Sequence, residues 1–367
     1  MSNRLWASST AAGVLSAIVL FAPTSVVAQA PTGAATKTAA STKAWTIARM
    51  PDGHPDLHGY YNFLSVTPME RPAKYGNREF LTAKETDEVF KTGLQTAFEP
   101  RDGDEEHYGN ELFNPNSVDY DPATFGLAPW QNGIKPNRRT SLVVDPPDGR
   151  IPPLTAEAKA ARAARRAVVQ GHEYVVDDNH GGGVVHADVP LDLGYGTTCV
   201  TPGGGPPILP GEYNADLYIL QTADNVVIQG VNGLRVIPLD GHAHASANIH
   251  QWHGDGVGHW EGDTLVVETS NFRPDNTFRG ADPKTLKITE RFTRVSAQTI
   301  EYKFTINDPS TWTKPWSAII PLSAEKGPLF EFACTEDDYD AVNILAGARA
   351  VERKAAGGKE RIPISEK

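Results

Sequence analysis

Five of the chain's eleven histidines fall in one stretch, GHAHASANIHQWHGDGVGHWEGD at residues 241–263: His242, His244, His250, His253 and His259. Imidazole titrates near neutrality and can accept or donate a proton as it stands. On an extended segment His242 and His244, two residues apart, project to one face. Asp255 follows closely and can orient a ring and set its tautomer. Trp252, beside His253, offers an aromatic wall for a planar or sugar-like ligand. These types and spacings point to general acid–base chemistry by His242, His244, His250 and His253 with Asp255. The spacing also allows a divalent metal on His242, His244 and His250, although no HExxH or other closed ligand pattern is present. A solvated loop whose histidines bridge backbone groups is the plainest alternative.

The motifs that are absent narrow the reaction. There is no GxSxG elbow, P-loop or kinase motif set. GDGVG at residues 254–258 follows no strand-to-helix start, so it is not a dinucleotide loop. Without an evident nucleophile or cofactor motif, the compatible chemistry is proton transfer: elimination, retro-aldol cleavage or isomerisation. Tyr195, Tyr213 or Arg235 would stabilise a developing oxyanion. Trp252, Trp312 and Trp316 would pack an aromatic, plant-derived or sugar-like substrate, with His180 joining from a glycine-rich loop. The leading expectation is thus a cofactor-independent lyase or isomerase. A metal-assisted hydrolase using the same histidines is the second reading, and a barrel that binds a small ligand without turnover is the third.

The elements that must position these residues are mainly strands. Short runs rich in Val, Ile, Leu, Phe and Thr lie at residues 216–221, 225–231, 234–239, 263–271, 285–295, 299–307, 316–321 and 329–334. Turn signals separate them, among them Asn232-Gly233 and Glu261-Gly262-Asp263. In TLKITERFTRV, residues Leu286, Ile288, Glu290, Phe292 and Arg294 share one face, and in TIEYKFTIN so do Ile300, Tyr302, Phe304 and Ile306. This predicts a mainly β fold, an antiparallel meander closing into a lipocalin-like barrel or curved sheet, with a β-sandwich as the alternative. One or two peripheral helices accompany it. Residues 155–170 form the clearest, with Thr155 as cap and Gly171 as stop, and residues 82–91 form another capped by Thr82.

Composition bounds the setting. In this 367-residue chain, Arg4, an apolar run at 11–22 and Ala28-Gln29-Ala30 read as a secretory signal cleaved after Ala30, which implies a periplasmic or secreted protein. Residues 31–44 read as a flexible leader, 45–350 as one β-rich domain with an irregular N-terminal segment at 45–153, and 351–367 as a polar tail. A formal net charge of −11 argues against nucleic acid and anionic membranes as partners. A small-molecule substrate is the expected partner, and homo-oligomerisation is left open. The two cysteines, Cys199 and Cys334, read as one disulfide in an exported chain.

Several stretches resemble an exported bacterial family: DGHPDLHG at 52–59, RTSLVVDPPDGRIPPLTAEA at 139–158, GHWEGDTLVVETSNF at 258–272, ERFTRV at 290–295 and DPSTWTKPW at 308–316. The resemblance spans most of the chain and attaches no reaction to it. The family pattern before GHWEGD resembles GRPH followed by IRQWMGDSRGHWEGD, where this chain has GHAH and IHQWHGDGVGHWEGD. The resemblance therefore implies that His259 serves the shared fold or shared chemistry, whereas His242, His250 and His253 are specific to this branch. His54 and His58, in the first matching piece, are expected to be structural.

Overall fold

The computed structural model describes residues 45–98, 135–170, 188–193, 205–210, 215–230, 233–274, 278–329 and 339–357. Tyr195, Tyr213, His180 and the expected Cys199–Cys334 disulfide lie outside the described residues, as do residues 1–44.

Ten strands form one antiparallel sheet: β1 (Gly59–Asn62), β2 (Val143–Asp145), β3 (Asp216–Gln221), β4 (Asn225–Gly230), β5 (Gly233–Pro238), β6 (Asp255–Glu261), β7 (Thr264–Ser270), β8 (Lys287–Ser296), β9 (Thr299–Asn307) and β10 (Trp316–Glu325). Their spatial order is β5-β4-β3-β1-β10-β9-β8-β7-β6, with β2 beside the first half of β10. Two meanders, β3 to β5 and β6 to β10, thus meet across β1. The short GYYN strand from the N-terminal segment joins them at the middle of the sheet.

Among the described residues three helices accompany the sheet: α1 (Ala83–Phe98), α2 (Ala156–Gln170) and α3 (Asp340–Ala355). At the start of α1 the Thr82 and Glu85 side chains bond each other's backbone N–H reciprocally, at 2.8 and 3.2 Å. In α2, the Thr155 hydroxyl accepts from the Ala158 N–H at 3.1 Å. The third helix was not foreseen, and it replaces the start of the expected polar tail.

Alternation puts Leu265, Val267, Ile288, Phe292, Ile300, Tyr302, Phe304, Ile306, Ala318, Ile320 and Leu322 on one buried face. That face is concave. Arg235 of β5 donates to Glu290 of β8, at 3.0 Å from Nη1 to Oε1 and again from Nη2 to Oε2. In a flat sheet those strands, six steps apart, would be separated by about 29 Å. Curling alone brings them into contact.

The expected closed barrel is not formed. Each neighbour along the nine-strand path is antiparallel, so the two end strands β5 and β6 run in the same direction. No ladder joins them among the described residues. Side chains seal the seam instead: a Cβ at Gly258 would stand 2.7 Å from Leu239 Cδ2 and 2.8 Å from Ile237 Cγ2. Only glycine lets β5 approach β6 that closely. The architecture is a strongly curved antiparallel sheet.

On the other face, where β1 links the two meanders, Asn62 Nδ2 donates to Asp216 Oδ1 at 2.7 Å, and Asp216 hydrogen-bonds Glu325. The rings of Tyr60 and Tyr218 stack alongside, 4.3 Å between centroids. Burial, and then the Asp216 carboxylate, push the Glu325 pKa from 4.5 up to about 7. Stability from this protonated carboxyl is fully present below pH 4.5 and is lost as the pH rises through about 7. The pair is half-exposed, so screening reduces the effect to about 1 kcal/mol. Urea midpoints measured from pH 4.5 to 8 are expected to carry this fall in the wild type. In Glu325→Gln the fall is expected to vanish.

Candidate functional site

The histidine stretch divides at β6. Successive residues of a strand point to opposite faces, so Asp255 and Gly256 begin two separate environments. Asp255, 7% exposed, faces outward under the 241–251 loop. Its Oδ2 accepts from His244 Nδ1 at 3.0 Å and from the Ala245 N–H at 2.8 Å, and its Oδ1 accepts from Gln251 Nε2 at 3.3 Å. The carboxylate fixes the His244 ring, with Nδ1–H donating and Nε2 left as the basic atom. This pair clasps the loop to the sheet. His242 is exposed and bonds Asp240 two residues away, and His250 is exposed. Among the described residues no three His, Cys, Asp or Glu side chains converge, so the metal trio His242, His244 and His250 is not gathered.

His253 belongs to the other environment. Gly254 follows it with φ +72°, and a Cβ there would collide with Thr269 Cγ2 at 2.6 Å and Phe272 Cε1 at 2.8 Å. A glycine in the left-handed region is what lets the chain turn this tightly against β7 before entering β6. The His253 ring lies against the backbone of Gly205, where a Cβ would stand 2.8 Å from Nδ1. Burial first, and the Arg235 charge second, lower its pKa from 6.5 to about 4. At neutral pH it is an uncharged imidazole that feels the Arg235 charge.

Arg235 is held inside the curled sheet. Glu290, with no exposed surface, takes both of its Nη groups, and Tyr302 donates to Glu290 Oε1 at 2.9 Å. The Tyr302 oxygen in turn accepts from the Ile208 N–H at 2.9 Å. Burial works against the charge of Arg235, but Glu290 outweighs it and holds the pKa above the usual value. Burial also keeps the Tyr302 phenol protonated far beyond neutrality. Sequence reasoning placed Glu290 and Tyr302 on the inward face without seeing them as partners of Arg235. The signal was a charged residue at a core position between Ile288 and Phe292.

The remaining predicted residues fall into place around this. Trp312 and Trp316 are 2% and 0% exposed and pack with Phe278 and Phe304 at centroid distances of 5.6 to 6.2 Å. Both are buried in the core of the sheet rather than presented at its surface. Trp252 is half-buried with the Arg273 guanidinium 4.0 Å over its ring. His259 is exposed on the outer face and reaches Glu261 at 3.3 Å. His54 stacks on Trp260 at 4.8 Å, and His58 Nε2 accepts from the Gln221 N–H at 3.1 Å. Both fasten the N-terminal loop to the sheet.

No family model matches the chain, and neither a curated protein nor a solved structure does. Among the described residues no helix is long and apolar enough to cross a membrane.

Breaking a buried ion pair leaves one charge stranded, whereas removing both partners does not. Arg235→Met and Glu290→Gln are each expected to lose about 3 to 5 kcal/mol in urea unfolding. The double variant Arg235→Met/Glu290→Met is expected to lose less than either.

Proposed function

We propose that the protein is an exported, cofactor-independent enzyme that moves a proton on a small neutral substrate held in the concavity of the curled sheet. His253 is the base and Arg235 the oxyanion partner. What supports this reading is a half-buried imidazole that stays neutral at neutral pH and feels the Arg235 charge, together with a guanidinium fixed by Glu290.

A base with a pKa well below neutrality is fully in its proton-accepting form at neutral pH. It would take a proton from a carbon beside a carbonyl, or from a hydroxyl. The oxygen that gains negative charge would turn toward Arg235. Glu290 uses one N–H of each Nη, leaving the rest of the five-donor fork for that oxygen. The fork is locked by Glu290 and Tyr302, so little reorganisation accompanies the charge. Return of the proton to a neighbouring carbon gives isomerisation; loss of a leaving group gives elimination. Holding a ligand without turnover is the second reading, favoured because Arg235 and Glu290 already cancel each other's charge.

The test is hydrogen exchange in D₂O. Small aromatic and sugar-like carbonyl compounds are incubated with the full chain, and loss of a C–H signal is followed by proton NMR. The wild type is expected to exchange at least one class, and His253→Gln to lower that rate by about 10²- to 10⁴-fold with the urea midpoint retained. Exchange that survives His253→Gln contradicts the assignment. Binding without exchange in the wild type supports the second reading.

A further inference from the structure

The inward positions of β6 are Gly256, Gly258 and Trp260. Two of the three thus carry no side chain, and the two glycines differ. The space over Gly258 is filled by Ile237 and Leu239 from β5. Among the described residues a Cβ at Gly256 would meet Thr269 Oγ1 at 3.4 Å and Val267 Cγ1 at 3.6 Å, both ordinary contacts, and its φ lies outside the left-handed region. Neither packing nor backbone conformation requires a glycine there.

Thr269 stands directly opposite Gly256 in the β6–β7 ladder and is 2% exposed. Its Oγ1 has no hydrogen-bond partner among the described residues. A buried hydroxyl left unpaired costs about 1 to 3 kcal/mol, and valine would fill the same volume without that cost. A polar atom kept inside the core and aimed at a place where the opposing strand has no side chain suits an incoming group.

The surroundings define that group. Because β5 and β6 run in the same direction and Ile237 meets Gly258, Arg235 lies level with Gly256. Val267, the next inward residue of β7, pairs with Glu290. The Arg235–Glu290 pair carries no net charge, so the place suits a ligand that enters neutral. Thr269 is flanked by Val267 and by Ile288, which pairs with it from β8. One hydroxyl among apolar neighbours matches a ligand with one hydroxyl on an apolar body. A sugar would leave its further hydroxyls unpaired in the same place.

The geometry assigns to Gly256 and Thr269 a subsite for the hydroxyl of a neutral phenolic ligand, in which Thr269 Oγ1 is the specificity-determining atom. This rests on the reading of the concavity as the substrate site and names the substrate class. The ligand oxygen would take the place beside Gly256, where β6 carries no side chain, and Thr269 would exchange a hydrogen bond with it.

Phenol and toluene, close in shape and different by one hydroxyl, are the probes. Their affinities for the full chain are measured by ligand-observed NMR in the wild type, Thr269→Val, Thr269→Ser and Gly256→Val. The ratio of phenol to toluene affinity is expected to fall about 5- to 10-fold in Thr269→Val and to be restored in Thr269→Ser. Gly256→Val is expected to exclude both probes while unfolding at a urea concentration near that of the wild type. If Gly256→Val unfolds early, Gly256→Ala replaces it, with weakened binding of both probes expected. An unchanged ratio in Thr269→Val, or no binding of either probe to the wild type, overturns the assignment. The readout needs no turnover, so a ratio that shifts as expected supports the subsite even where His253→Gln leaves hydrogen exchange intact.

Discussion

A guanidinium and a carboxylate cannot both leave water unless they find each other, because each alone costs several kcal/mol to bury. Arg235 and Glu290 are buried, they sit six strand steps apart along the sheet, and they meet. The sheet must therefore curl, and the depth of curl is set by the reach of one arginine side chain. Tyr302 donates to the same carboxylate and accepts from the Ile208 N–H, so the carboxylate and the phenol are both paired. A paired network of this kind specifies one arrangement of β5 against β8, which apolar packing alone would leave freer.

That constraint reaches the seam and the histidines. Nine strands with antiparallel neighbours leave two end strands of the same direction, which close through side chains over Gly258. Just before β6, Gly254 turns the chain tightly against β7, and the half-buried His253 that precedes it packs on Gly205 and feels the Arg235 charge. The environment that strips water from His253 and the charge that disfavours its protonation have the same origin. Strand parity does the rest: Asp255 faces out and holds His244 and the loop, whereas Gly256 faces in.

Much of the fold was legible because its signals are local. β3 and β9 have the expected bounds, the Thr82 and Thr155 caps form, and the inward faces of β8 and β9 follow from alternation. β6 was hidden because two inward glycines erase its alternation. The central place of β1 was hidden because a four-residue strand has too short a period to read, and its partners lie more than 150 residues away. Spacing suggested that four histidines could act together, yet the side of a strand on which each falls depends on where the strand begins. Trp312 and Trp316 looked like a ligand wall for a similar reason, since an aromatic residue near a turn carries no mark of which way it faces. Glu290 was the clearest signal left unused, an acid in a run of core positions with its partner 55 residues away.

The most direct test is the protonation of His253 followed by heteronuclear NMR on selectively labelled histidine, from pH 8 to 4. Half-buried and feeling the Arg235 charge, the imidazole is expected to stay neutral through pH 6 and to gain its proton only near pH 4. A midpoint at the ordinary value of 6.5 would contradict the account, because it would put His253 in water and away from the Arg235 charge.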